Sequence, residues 1–133
     1  MKVVCVGNAF VGKTSLLYTF VNRKYPSDYV PTIFDNYRSI CNYSKLTFSL
    51  IIFDVSSGDE EFPGLRLLCY PMTDVCLFCF SLSVLNSLLA IKSLWFNEVA
   101  NNVSDTCCFV LVGTKLDLLS DAKEVSKSNN KKK

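Results

Sequence analysis

The stretch Val3-Val4-Cys5-Val6-Gly7-Asn8-Ala9-Phe10-Val11-Gly12-Lys13-Thr14-Ser15-Leu16-Leu17 decides the fold. Its first four residues are wholly apolar and mostly β-branched, the pattern of a strand buried on both faces of a parallel sheet. From Thr14 onward, Leu16, Leu17, Phe20 and Val21 share one helical face, and the pattern stops before the polar Asn22-Arg23-Lys24. Between strand and helix, Gly7 to Thr14 reads GxxxxGKT. In such a loop the glycines let backbone N–H groups turn inward around phosphate oxygens at a helix N-terminus. The lysine, Lys13, then reaches the outer phosphates, and the Thr14 hydroxyl ligates Mg²⁺.

Working outward, residues 22–36 hold Pro26 and Pro31 and show no period, so they read as a long loop of the kind that is usually functional. Tyr37 to Cys41 and Leu46 to Asp54 are strand-like and are joined by Asn42-Tyr43-Ser44, which predicts an antiparallel hairpin. Val55 to Gly64 is small and acidic, a second loop, followed by a short helix near Leu65 to Tyr70. Val75 to Phe80 predicts a fourth strand. Ser83 is the expected N-cap of a helix with the apolar face Leu85, Leu88, Leu89, Trp95, Phe96 and Val99. Cys107 to Val112 predicts a fifth strand, ending at Gly113. This order is an α/β layout with a mostly parallel sheet, whose ligands bind beyond the carboxyl ends of the strands.

Composition bounds the rest. The chain has 133 residues, half of them apolar and one-fifth charged, which suits one folded domain with a core of its own. Residues 1–121 carry nine Lys and Arg against eleven Asp and Glu, and residues 122–133 carry five Lys against one Glu. The expected division is therefore a mildly acidic domain over 1–121 and a basic polar tail over 122–133. No basic stripe crosses the body, which argues against nucleic-acid binding. The tail, ending in Lys131, Lys132 and Lys133, is short of the basic clusters that hold proteins to anionic lipid, so any membrane contact through it is weak. Seven cysteines lie in apolar runs with no secretory signal before them, so they are expected as reduced, buried thiols of a cytoplasmic protein. The chain has no histidine, and Cys76 and Cys79 have opposite parity in a strand, so a zinc site is not expected. Val75 to Ile91 is uncharged but polar-interrupted, and suits a buried strand and amphipathic helix better than a membrane span.

Two further segments follow strand ends. Asp54 is placed to hold Mg²⁺, through a water, opposite the phosphate loop. In Thr114-Lys115-Leu116-Asp117, the Asp117 carboxylate can accept two parallel hydrogen bonds from the N1–H and N2–H₂ edge of guanine, a pair that adenine lacks. The Lys115 stem can lie over the base plane.

These three motifs, in this order, resemble a small GTPase of the Ras superfamily from Val3 to about Leu119, and specifically its Rho/Rac branch. Tyr25 to Asn36 closely matches that branch's first switch, Leu65-Arg66 with Tyr70-Pro71 and Thr73-Asp74-Val75 match the segment after its second, and Thr114 is the residue the branch often carries there. The fold implied is the P-loop NTPase three-layer sandwich, a mostly parallel sheet with one antiparallel hairpin. The resemblance implies GTP or GDP with Mg²⁺ as ligands, held by Gly7, Asn8, Ala9, Phe10, Val11, Gly12, Lys13, Thr14, Ser15, Tyr25, Thr32, Gly58, Thr114, Lys115 and Asp117. Mg²⁺ would be ligated by Thr14, Thr32 and Asp54, with Thr32 joining only when a γ-phosphate is present. Effector proteins would read Tyr29, Val30, Pro31, Thr32, Ile33, Phe34, Asp35 and Asn36, with exchange factors and activating proteins as further partners.

The chain departs from that pattern in three places. Ala9 stands where the family has a glycine facing the γ-phosphate. Asp54 to Glu60 lacks the glutamine that orients the attacking water, whether Asp59 or Gly58 stands in its place, so no catalytic residue is assigned and hydrolysis is expected to be weak. After Leu119 the sequence does not continue into the family's last strand and last two helices, so the sheet is expected to lose cover, and with no cysteine after Cys108 no lipid anchor is expected in this chain. Three function classes fit: a guanine-nucleotide switch, a non-cycling module that engages effectors, and a P-loop kinase or ATPase.

Overall fold

The computed structural model describes residues 1–28, 34–55 and 63–118. Strand β1 (Lys2–Val6) leads through the glycine loop into helix α1 (Lys13–Asn22). Strands β2 (Phe34–Tyr43) and β3 (Leu46–Val55) form the hairpin, followed by helix α2 (Pro63–Leu67) and strand β4 (Val75–Ser81). Helix α3 (Leu85–Ala90), a π-helical turn (Ile91–Trp95) and helix α4 (Phe96–Ala100) run consecutively into the approach to β5 (Cys108–Thr114). The sheet order is β2-β3-β1-β4-β5, with β2 antiparallel to β3 and every other pair parallel. This is the mostly parallel sheet with one antiparallel hairpin that the resemblance implies.

Alternation along the central strand makes three layers. Val4 and Val6 face a core with Tyr70, Cys76, Phe78, Ile91, Trp95 and Val99, whereas Val3 and Cys5 face Val11, Leu17, Leu50, Ile52 and Cys79. Each fully buried valine of β1 contributes roughly 1.5–3 kcal/mol of apolar burial, which holds the mouth of the phosphate loop between two cores. Cys76 and Cys79 fall in opposite cores, as their parity requires. All seven cysteines are free thiols, but only Cys5, Cys69, Cys76 and Cys79 are buried; Cys41 and Cys107 are half-buried and Cys108 is exposed.

Several local expectations are corrected. The loop expected over residues 22–36 is shorter at both ends: Asn22 closes α1, and Phe34, Asp35 and Asn36 already pair with Val55, Asp54 and Phe53. The hairpin turn is Ser44-Lys45, with Ser44 at φ 55°, since Thr47 Oγ1 donates to Asn42 Oδ1 at 2.7 Å and keeps those two residues paired. Ser83 is not the cap of α3: Val84 is, without a side-chain hydrogen bond. The Ser83 and Ser81 hydroxyls lie at 2.9 Å instead, and Ser87 Oγ donates to the Val84 carbonyl. The apolar face of the helix is also displaced. Leu85 and Leu89 are 69% and 56% exposed and Phe96 is exposed too, whereas Trp95 and Val99 are buried as expected and Ile91 joins them, because the π-helical turn shifts the phase of the residues around it. On β5, the apolar Phe109, Val110 and Leu111 are exposed at the edge of the described sheet. The basic tail, the division at residue 121 and the absence of later elements concern residues 119–133, outside the described residues. No helix among the described residues is long and apolar enough to cross a membrane.

Candidate phosphate and nucleotide site

The glycine loop begins where β1 meets β4. Gly7 has φ 144°, and a Cβ there would lie 2.1 Å from the Cys79 carbonyl oxygen, so backbone packing alone demands glycine. Beneath the loop the Cys5 and Cys79 thiols approach to 3.4 Å. The loop passes through Phe10 at φ 60° and closes at Gly12, φ 98°, the N-cap of α1. Gly12 offers no side chain to the first-turn amides and that turn holds no acidic residue, so the helix N-terminus keeps its positive end for an anion.

Lys13 is buried, and its ammonium donates to the carbonyls of Gly7 at 2.8 Å and Asn8 at 2.9 Å. It lies folded inside the loop that it is expected to serve. Burial lowers its pKa, while the charges of Cys5, Asp54 and Cys79 act in the opposite direction. Asp54, opposite Cys5 in the register of β1 and β3, is 1% exposed. Neither of its carboxylate oxygens accepts a hydrogen bond of good geometry. Burial raises its pKa, and the neighbouring Thr14 hydroxyl and Lys13 ammonium pull it back down. A buried carboxylate with two unsatisfied oxygens beside a hydroxyl fits a hard cation such as Mg²⁺. Across the hairpin Asp35 pairs directly with Asp54, and burial together with these two charges pushes the Tyr37 phenol up to about 12.

The segment after β5 reaches the same loop. Thr114 Oγ1 donates towards the carbonyls of Val11 and Phe80, and Lys115 Nζ donates to the Phe10 carbonyl at 2.6 Å. A strand end 100 residues away in sequence thus braces the phosphate loop. The structure therefore brings together Gly7 to Thr14, Asp54, Thr114 and Lys115.

A family model described as the Ras family matches residues 2–133. The chain belongs to the Ras family. It is accordingly a GTP-binding small GTPase, of a family whose members bind GTP or GDP with Mg²⁺ and interact with effectors and regulators.

Other expected site residues of this Ras-family chain lie on its surface or on β2. Tyr25 is exposed, as is Asp117 beyond β5. Asp35 and Asn36 lie on β2, where Asp35 Oδ1 accepts the Asn36 backbone N–H. Tyr29 to Ile33, Thr32 among them, and Gly58 and Asp59 lie outside the described residues. The sequence reading missed one participant: the Trp95 indole N–H donates to Asn8 Oδ1 at 2.7 Å. No local pattern signals a contact spanning 87 residues.

Proposed function

We propose that this chain is a guanine-nucleotide switch of the Rho/Rac type that binds GTP with Mg²⁺ and hydrolyses it poorly. The observation that carries the binding half is the convergence of a buried Lys13, an unsatisfied Asp54 and the Thr114–Lys115 brace on one loop. Lys13, the loop amides from Gly7 to Thr14 and Ser15 take the phosphates, and Tyr25 and Lys115 flank the base. Asp117 selects guanine by its two-point acceptance from the base edge. Thr14 and Asp54, joined by Thr32 when a γ-phosphate is present, would hold Mg²⁺, which would supply positive charge to neutralise the phosphates. Residues 29–36 form the surface that effectors read.

Weak hydrolysis follows from two positions. Ala9 carries a Cβ where the related pattern leaves the γ-phosphate face open, and residues 54–60 supply no glutamine to orient water. An aspartate at position 59 would bring negative charge towards a phosphate. The test is single-turnover hydrolysis of preloaded GTP, with and without an activating protein for Rho-type GTPases, alongside displacement of bound nucleotide by GTP, GDP and ATP. The expected result is displacement by GTP and GDP but not ATP, with slow hydrolysis in both arms. Acceleration of roughly 10³-fold or more, the usual contribution of an arginine finger, contradicts the hydrolysis claim. Displacement by ATP contradicts the guanine claim.

A further inference from the structure

The chain has a single tryptophan, and it closes the π-helical turn. Trp95 is 1% exposed, and its one polar atom, the indole N–H, is spent on Asn8 Oδ1 in the phosphate loop. A second side-chain tie on Asn8 comes from Lys13, whose ammonium donates to the Asn8 carbonyl. These two ties differ in kind. A lysine that moves out to meet phosphate must leave the Gly7 and Asn8 carbonyls, whereas the indole is packed in the core and cannot follow.

The face of the indole is anchored too. The Arg66 guanidinium lies 5.0 Å from the Trp95 ring centroid and clamps Glu98 through Nε and Nη2, each at 2.6 Å. The Tyr70 hydroxyl donates to the same carboxylate. Arg66 belongs to α2, so the ring touches both the phosphate loop and that helix.

We propose that Trp95 is a positioning residue for nucleotide binding: its indole N–H fixes Asn8, and through Asn8 the shape of the phosphate loop when Lys13 turns to phosphate. The inference rests on the nucleotide-binding reading above. Rotating Asn8 away strands a buried N–H, so the loop is held by the energy of an unmade hydrogen bond, and losing the tie speeds release about three- to tenfold.

The experiment uses the full chain loaded with methylanthraniloyl-GDP and chased with excess GDP, comparing wild type, Asn8→Ala, Trp95→Phe and the double variant, with unfolding followed by circular dichroism. The expected result is faster release in each single variant, with the double variant no faster than the faster single one. The spectroscopic counterpart is a tryptophan emission change on adding Mg²⁺ and GDP that wild type shows and Asn8→Ala lacks. Unchanged release in a folded Asn8→Ala variant, or additive effects in the double variant, overturns the inference. If Trp95→Phe does not fold, the release rate and emission of Asn8→Ala decide alone. A wild-type chain that retains no guanine nucleotide overturns the nucleotide-binding reading itself, and the inference with it.

Discussion

Lys115 Nζ and the Phe10 carbonyl oxygen meet at 2.6 Å, although 105 positions separate them in the chain. With Thr114 Oγ1 on the Val11 and Phe80 carbonyls, this bond makes the end of β5 part of the phosphate loop. Thr114→Val keeps the shape and removes the hydroxyl. It is expected to destabilise the fold by about 1–2 kcal/mol and to speed nucleotide release, because two loop and strand carbonyls lose their donor. Urea unfolding and a release assay check both halves; unchanged release assigns the brace no part in binding.

The glycines separate clash from strain. Gly7→Ala places a Cβ 2.1 Å from a backbone carbonyl and is expected to cost more than about 3 kcal/mol or to prevent folding. Gly12→Ala meets nothing closer than 3.9 Å but inherits φ 98°, and is expected to cost about 1–2 kcal/mol. Gly64→Ala, in α2 with open space around it, is expected to be neutral or stabilising by up to about 1 kcal/mol. Thermal unfolding of the three variants tests the ranking.

Asp54 sets a metal-dependent trend. Its pKa is raised by burial, so the folded state holds its proton more tightly than the unfolded state does. Without Mg²⁺ its contribution is therefore destabilising at neutral pH, and this penalty disappears as pH falls towards the ordinary carboxylate value of 3.8. Asp54→Asn is expected to stabilise the Mg²⁺-free protein by at least about 1 kcal/mol and to remove stabilisation by Mg²⁺ with GDP. Melting curves against pH, with and without Mg²⁺, give both signs.

Glu98 behaves oppositely. Burial alone would raise its pKa, but the hydrogen bonds from Arg66 and Tyr70 and the Arg66 charge outweigh this and lower it. Its contribution is stabilising above the ordinary carboxylate value of 4.5 and is lost as pH falls through the lowered value. Glu98→Gln is expected to destabilise the protein at pH 7 and to flatten the loss of stability on acidification. An acid unfolding curve identical to wild type contradicts this.

The elements legible in the sequence are those whose chemistry is contiguous. The GxxxxGKT octapeptide fixes its own strand, loop and helix, and the parallel strands placed Asp54 and Thr114 at the same end of the sheet as the loop. What stayed hidden depends on distant partners. Nothing local marks Asn8 as the acceptor for Trp95, and although the helical period found Trp95 and Val99, the π-helical turn brings Ile91 inward and leaves Leu85 and Leu89 exposed, a phase shift that a 3.6-residue period cannot predict. Ser83 carries the right chemistry for a cap, but Ser81 engages its hydroxyl, so the helix starts one residue later than such a cap would set.

The central claim, guanine-nucleotide binding without efficient turnover, is tested most directly by purifying the chain in Mg²⁺ buffer, denaturing it and separating the released nucleotide by chromatography. The account predicts GTP as the main species. GDP in its place contradicts the argument from Ala9 and the missing glutamine, and a folded protein that releases no guanine nucleotide contradicts the claim of binding.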